Sequence, residues 1–210
     1  VPVTVDPAPP AERIPVWIPL VFCTTGFAAL LYQVIWQRVL YSTFGVNVEA
    51  VTTVVTAFLA GLGLGSLAGG QLAKGTNHTI LLFCGSIELA IGIFGVWSLT
   101  FFHWIGSLTL GLPTIPRGAV MALVVMLPTI LMGATLPLLV AFLVRSTGNV
   151  GRTVGLLYFV NTAGSAFAAL AAVLLILGSL GETRSAYLAA GLNLVAGAFI
   201  LVGPLRRTLR

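Results

Sequence analysis

AVMALVVMLPTILMGATLPLLVAFLV, the stretch from Ala119 to Val144, runs its whole length without one ionisable side chain. A helix needs about twenty mostly apolar residues to cross the hydrocarbon core of a bilayer, and this stretch exceeds that length. Its apolar residues follow one another continuously, with neither a strand nor an amphipathic-helix period, so no face is reserved for water. Working outward, five further stretches share this character: Val16 to Tyr41, closed by Gly45; Val48 to Ala73, closed by Lys74, Gly75 and Asn77; Thr79 to Leu112, broken by Pro113 and Pro116; Val154 to Leu180; and Ala186 to Val202. The third of the six, Thr79 to Leu112, is far longer than the hydrocarbon core at about 1.5 Å per residue. That excess predicts a break near His103 to Gly106, with Trp104 to Leu112 lying along the interface. The expected fold is all-α and integral to the membrane, a bundle of six transmembrane helices over residues 16–203. A polar, proline-rich lead-in at 1–15 precedes it and a basic tail at 204–210 follows.

Composition agrees with lipid as the solvent. Hydrophobic residues make up 58% of the chain and charged residues 7%, against about one quarter charged in a soluble domain. The net charge of +5 does not mark a nucleic-acid partner, because the ten basic residues stand singly at the ends of apolar runs. They read as topology signals instead. With the N-terminus inside, Arg13, Lys74, Arg145, Arg152, Arg206, Arg207 and Arg210 lie on the inner side and Arg38, Arg117 and Arg184 on the outer, which predicts both termini in the cytoplasm of a cell (inner) membrane.

The lead-in carries Pro2, Pro7, Pro9, Pro10 and Pro15 beside Asp6, Glu12 and Arg13. It lacks the apolar core of a secretory signal peptide. The chain starts at Val1, so processing or a longer parent sequence is expected. Cys23 and Cys84 lie inside apolar runs and read as small buried hydrophobes, not as a disulfide or zinc pair. His78 and His103 fall about 37 Å apart along one helix, too far to share an iron. No metal and no cofactor is expected. Trp17, Trp36, Trp97 and Trp104 fall mostly toward span ends, as an aromatic belt requires.

Lipid gives helices no hydrophobic reason to associate, so close packing relies on small residues that let backbones approach. Gly61, Gly65 and Gly69 form such a face on the second span, flanked by Gly63 and Gly70. Gly164, Ala168 and Ala172 form a row on the fifth span, and Ala189, Asn193 and Gly197 another on the sixth. Pro128 and Pro137 each remove a backbone donor from the fourth span and are expected to kink it. Such a kink is a static bend or, as in transporters, part of a broken helix lining a cavity.

A carboxylate at mid-membrane is costly unless it is protonated, paired or hydrated, and it is a functional suspect by default. Glu88 sits near the middle of the third span. Asn161 and Asn193 reach a similar depth on the fifth and sixth, with Tyr32 and Gln33 somewhat further out on the first. Two readings of this layer stay open. The amides and a protonated Glu88 join helices by hydrogen bonds, or Glu88 is the counter-charge of a cationic ligand in a hydrated cavity. Arg38 lies too far along its helix to pair with Glu88, and it is expected to snorkel to the outer interface or to pair with Glu49. Glu49 in the first turn of its helix also suits the helix dipole.

Several strings, read in order, look like one family: Gly26-Phe-Ala-Ala-Leu-Leu-Tyr-Gln-Val-Ile-Trp-Gln-Arg38, Ala57-Phe-Leu-Ala-Gly-Leu-Gly-Leu-Gly-Ser-Leu-Ala-Gly-Gly70, Glu88-Leu-Ala-Ile-Gly92, Pro128 through Met-Gly-Ala-Thr-Leu-Pro137, and Gly155-Leu-Leu-Tyr-Phe-Val-Asn-Thr-Ala-Gly164. Together they resemble the membrane half of the spermidine-synthase-like integral membrane proteins, a major-facilitator-like domain fused to an aminopropyltransferase. The resemblance implies a bundle like a major-facilitator half, with Glu88, Asn161 and the Tyr32 to Arg38 stretch as its characteristic polar positions. Two departures matter. The glycine-rich loop and catalytic aspartates of the fused enzyme are missing, the one Asp being Asp6. In the string resembling the major-facilitator loop motif, Ala73 stands where an Asp belongs.

No catalytic residue is therefore expected in these residues. The leading expectation is a transporter-like or ligand-binding bundle for a small cationic molecule such as a polyamine. Its site residues are Glu88, Asn161, Asn193, Tyr32 and Gln33, and its surroundings are the lipid bilayer. A second expectation is an accessory subunit of a larger membrane complex. A third is the membrane anchor of a longer spermidine-synthase-like enzyme.

Overall fold

The computed structural model describes residues 14–44 and 48–204. Most of the lead-in and of the basic tail, with Arg13, Arg206, Arg207 and Arg210, lies outside them. The described chain is helical in α1 (Trp17–Phe44), α2 (Val48–Leu72), α3 (Asn77–Leu108), α4 (Thr114–Thr147), α5 (Val150–Ala171) and α6 (Leu177–Val202), with a π-helical turn at Ala172–Ile176 joining the last two. Five helical stretches are long and apolar enough to cross a membrane, the last being the continuous run Val150–Val202.

That last run is not straight. Gly181 has φ 72° and ψ 177°, a backbone state that a side chain would strain, and the chain reverses there. Trp17, at the start of α1, packs on Phe142 near the end of α4 and on Phe199 near the end of α6. At the other end of α1, Arg38 Nε donates to Glu182 Oε1 over 3.2 Å. The segment after Gly181 therefore runs antiparallel to α1. The segment before it runs with α1, Gly164 lying on Cys23 and Phe167 on Phe27. Arg38 had been expected at the interface or on Glu49; its described partner is Glu182, brought close by this reversal, and the Glu49 side chain lies outside the described residues.

A second difference concerns α3, which continues to Leu108 with no break at His103 to Gly106. At about 1.5 Å per residue it is about 48 Å long, enough to reach through both headgroup regions. No proline interrupts it, and side chains serve its final carbonyls. Ser107 Oγ donates to Trp104 O at 2.7 Å and Thr109 Oγ1 to Ile105 O at 2.9 Å. Continuing the helix thus satisfies backbone groups that a break inside the bilayer would orphan.

The small-residue faces act where two helix pairs cross. In the α2·α4 pair, a Cβ at Gly65 would meet the Ile130 carbonyl oxygen and Gly133 Cα, while one at Gly133 would meet the backbone of Leu62. In the α1·α5 pair, a Cβ at Gly164 would meet the Cys23 carbonyl, while one at Gly26 would meet Asn161. The two sets correspond position by position, Ile130 to Cys23, Gly133 to Gly26, Leu62 to Asn161 and Gly65 to Gly164. The next residue completes the likeness. Ser66 Oγ donates to Gly133 O at 3.2 Å and Ser165 Oγ to Gly26 O at 3.0 Å.

The same exchange relates the helix ends. Arg38 at the end of α1 reaches Glu182, just past the Gly181 break. Arg145 at the end of α4 reaches Asn77, the first residue of α3, at 3.0 Å, and Ala73 O at 2.8 Å. Swapping α1–α3 for α4–α6 maps one set of contacts on the other with the helix directions inverted. This is an internal inverted repeat. Elsewhere, Gly61 lies on Thr129 and Gly69 on Ala134, both on α4.

Candidate functional site

Pro137 lies inside α4 with Pro128, and the helix continues through both. A proline at 137 has no N–H to give the carbonyl four residues earlier, which is that of Gly133. Ser66 supplies the missing donor from α2. The serine thus repairs α4 and holds α2 against it at once. Around this point, where α1, α2, α4 and α5 approach one another, the helices line a partly open cavity of about 300 Å³.

Six helices contribute to its wall. Glu88 of α3 and Asn193 of α6 both line it, Asn193 Nδ2 donating to Glu88 Oε2 at 2.5 Å. These two side chains are 4% and 2% exposed. The Asn193 Oδ1 atom, also buried, has no hydrogen-bond partner among the described residues. Gln33 of α1 and Asn161 of α5 line the same space, and so do Ser66 and Ser165. Phe22, Phe58, Leu62, Met132 and Leu136 make an apolar wall.

Four of the five polar residues singled out from the sequence, Glu88, Asn161, Asn193 and Gln33, therefore share one cavity. The fifth, Tyr32, does not line it. Its ring stacks on Trp36 with centroids 4.8 Å apart, its hydroxyl has no hydrogen-bond partner among the described residues, and it packs against Gly95 of α3. One step along a helix turns a side chain by about 100°, which separates Tyr32 from Gln33. Trp36 departs from the belt for the same reason. It is 1% exposed, sits among Phe58, Phe94 and Phe102, and donates from Nε1 to Ser98 Oγ at 3.1 Å. Trp97 and Trp104 face outward.

Thr25, Ser66, Thr135, Tyr158 and Ser165 also line the cavity, and sequence reading passed over them. Hydroxyls inside apolar spans usually bond to their own helix, as Thr25 does to Phe22 O and Thr135 to Met132 O. Ser66 and Ser165 carried a usable signal, since each directly follows a glycine of a close-packing face.

Chemically the cavity offers one carboxylate, three side-chain amides and several hydroxyls among mainly apolar side chains. It can hold a polar or cationic group against Glu88 while burying apolar surface. No family model matches the chain, and the comparisons with curated proteins and with solved structures return no match.

Proposed function

We propose that the chain crosses the membrane six times and binds a small cationic molecule in its central cavity, with Glu88 as counter-charge. The observation that carries this reading is the carboxylate of Glu88, buried yet lining a cavity of about 300 Å³ beside Asn193, Asn161 and Gln33. A carboxylate at such depth is stabilised by a cation or a proton, and a lined cavity gives the cation somewhere to sit. The reversal at Gly181 supports six crossings over five. The inverted repeat supports kinship with a major-facilitator half and, through the resemblance of the sequence strings, with the membrane domain of spermidine-synthase-like proteins. In the sequence, Arg13, Lys74, Arg145, Arg152, Arg206, Arg207 and Arg210 fall before α1, between α2 and α3, around the α4–α5 turn or after α6, against Arg38, Arg117 and Arg184 on the other side, and this bias of seven to three supports cytoplasmic termini.

Binding of labelled cationic amines to the protein in lipid nanodiscs tests the reading. Wild type should bind in a saturable manner, and Glu88→Gln should lose about ten-fold or more in affinity, a difference of about 1.4 kcal/mol. Undiminished binding by Glu88→Gln removes the proposal.

A further inference from the structure

The resemblance of the sequence strings suggests a polyamine, but the charges in the chain suit a different ligand. Five acidic residues are present: Asp6, Glu12, Glu49, Glu88 and Glu182. Asp6 and Glu12 precede the first helix, Glu49 stands in the first turn of α2, and Glu182 is engaged by Arg38 at the far end of α1. Among the described side chains, Glu88 is the one acid that lines the cavity. A second ammonium carried into it would find no carboxylate among those side chains, and an unpaired buried charge is strongly disfavoured.

One acceptor of the pair is nevertheless left for a ligand. Glu88 Oε2 takes the Asn193 amide, while Oε1 has no donor among the described residues and is not one of the fully covered polar atoms. An acceptor left unmade at such depth is costly, and supplying an N–H donor recovers that cost. Phe22, Phe58 and Leu62 also line the cavity, apolar and aromatic surface that favours an apolar body.

We infer that the ligand is a monocationic amine: one N–H-bearing ammonium on an apolar or aromatic body, held by Glu88 and excluding polyamines. This rests on the cation-site reading above and narrows it. A quaternary ammonium keeps the charge but cannot donate, and a neutral alcohol of the same shape keeps the body but not the charge.

The test is a selectivity series on the wild-type protein in nanodiscs, with phenethylamine, its trimethylated quaternary analogue, phenethyl alcohol and spermidine as probes. Phenethylamine should bind at least about ten-fold more tightly than each of the others, a difference of about 1.4 kcal/mol. Glu88→Gln should shrink the gaps that separate phenethylamine from its quaternary analogue and from the alcohol. Spermidine binding as tightly as phenethylamine, with dependence on Glu88, overturns the monocation inference and leaves the cation site standing. Equal binding of the quaternary analogue likewise overturns the N–H requirement alone. If the alcohol matches the amine, or none of the probes binds, the cation site itself is refuted.

Discussion

The amide of Asn193 donates to Glu88 Oε2 across 2.5 Å, tying α6 to α3 at the cavity wall. Both residues are buried, and no second donor to the carboxylate is present among the described residues. The bond therefore bears on stability as well as on any ligand. Asn193→Leu leaves a buried carboxylate without its donor and should cost about 1–3 kcal/mol. In a double-mutant cycle with Glu88→Leu, the coupling should be about 1 kcal/mol, typical of hydrogen bonds between membrane helices. Reversible unfolding in mixed micelles measures it. Additive single effects would mean that the contact contributes nothing to the fold.

Gly65 and Gly63 are near neighbours on α2 with opposite surroundings. A Cβ at Gly65 would come within 2.9 Å of Gly133 Cα and closer still to the Ile130 carbonyl oxygen, whereas one at Gly63 meets nothing within 4 Å. Backbone cannot retreat as a flexible side chain can, so Gly65→Ala should force α2 from α4 and cost about 1–3 kcal/mol. Gly63→Ala should be neutral or stabilising by up to about 1 kcal/mol, because alanine is the better helix former. Thermal unfolding of the two variants in one detergent gives the comparison. Equal melting temperatures would contradict a close α2·α4 contact.

Ser66 and Ser165 make matching bonds, but their loss should not weigh equally. The Gly26 carbonyl that receives Ser165 also has the helical N–H of Leu30 available, while the Gly133 carbonyl faces Pro137 and has Ser66 in place of a helical donor. Ser66→Ala should cost about 1–2 kcal/mol and Ser165→Ala less than about 1 kcal/mol. Pro137→Ala restores the helical donor, so its combination with Ser66→Ala should recover much of the loss. Unfolding of the four variants checks this, and a double variant no better than Ser66→Ala alone rules out the repair role.

Much of this layout was legible in the sequence, and the limits have physical causes. Hydropathy reports where the chain prefers lipid, which is why α1, α2 and α4 lie close to the expected spans and why Gly181 falls in the expected gap between the last two. It does not report where a helix ends if no proline or glycine intervenes, so α3 ran on past His103, its last turns held by Ser107 and Thr109. Depth along a helix follows from residue count, and that brought Glu88, Asn161, Asn193 and Gln33 to one layer. Facing depends on neighbours. Tyr32 and Trp36 turned to the α3 side of α1 because Gly95 leaves room there and Ser98 offers an acceptor. The Ser66 to Gly133 bond was out of reach of any span-by-span reading, since it becomes visible only when Pro137 on one helix and a serine on another are seen to share a carbonyl.

The reversal at Gly181 carries the count of crossings and can be tested from outside the cell. Thr183 lies just past the turn, at the end of the bundle that holds Arg38 and Arg117; Ser146 lies at the opposite end, next to Arg145; both are exposed. In a background with Cys23→Ala and Cys84→Ala, single cysteines at these positions should respond oppositely to a membrane-impermeant maleimide. Thr183→Cys should label in intact cells, and Ser146→Cys only after permeabilisation, because the end richer in Lys and Arg is retained in the cytoplasm. If the two label from the same side, residues 147–182 do not cross the membrane, and a cysteine at Gly203, just past α6, that labels with Thr183→Cys rather than with Ser146→Cys means that the chain does not turn back after Gly181; either result ends the six-crossing reading. If they label from opposite sides in the reverse sense, the crossings stand and the charge-based orientation is wrong.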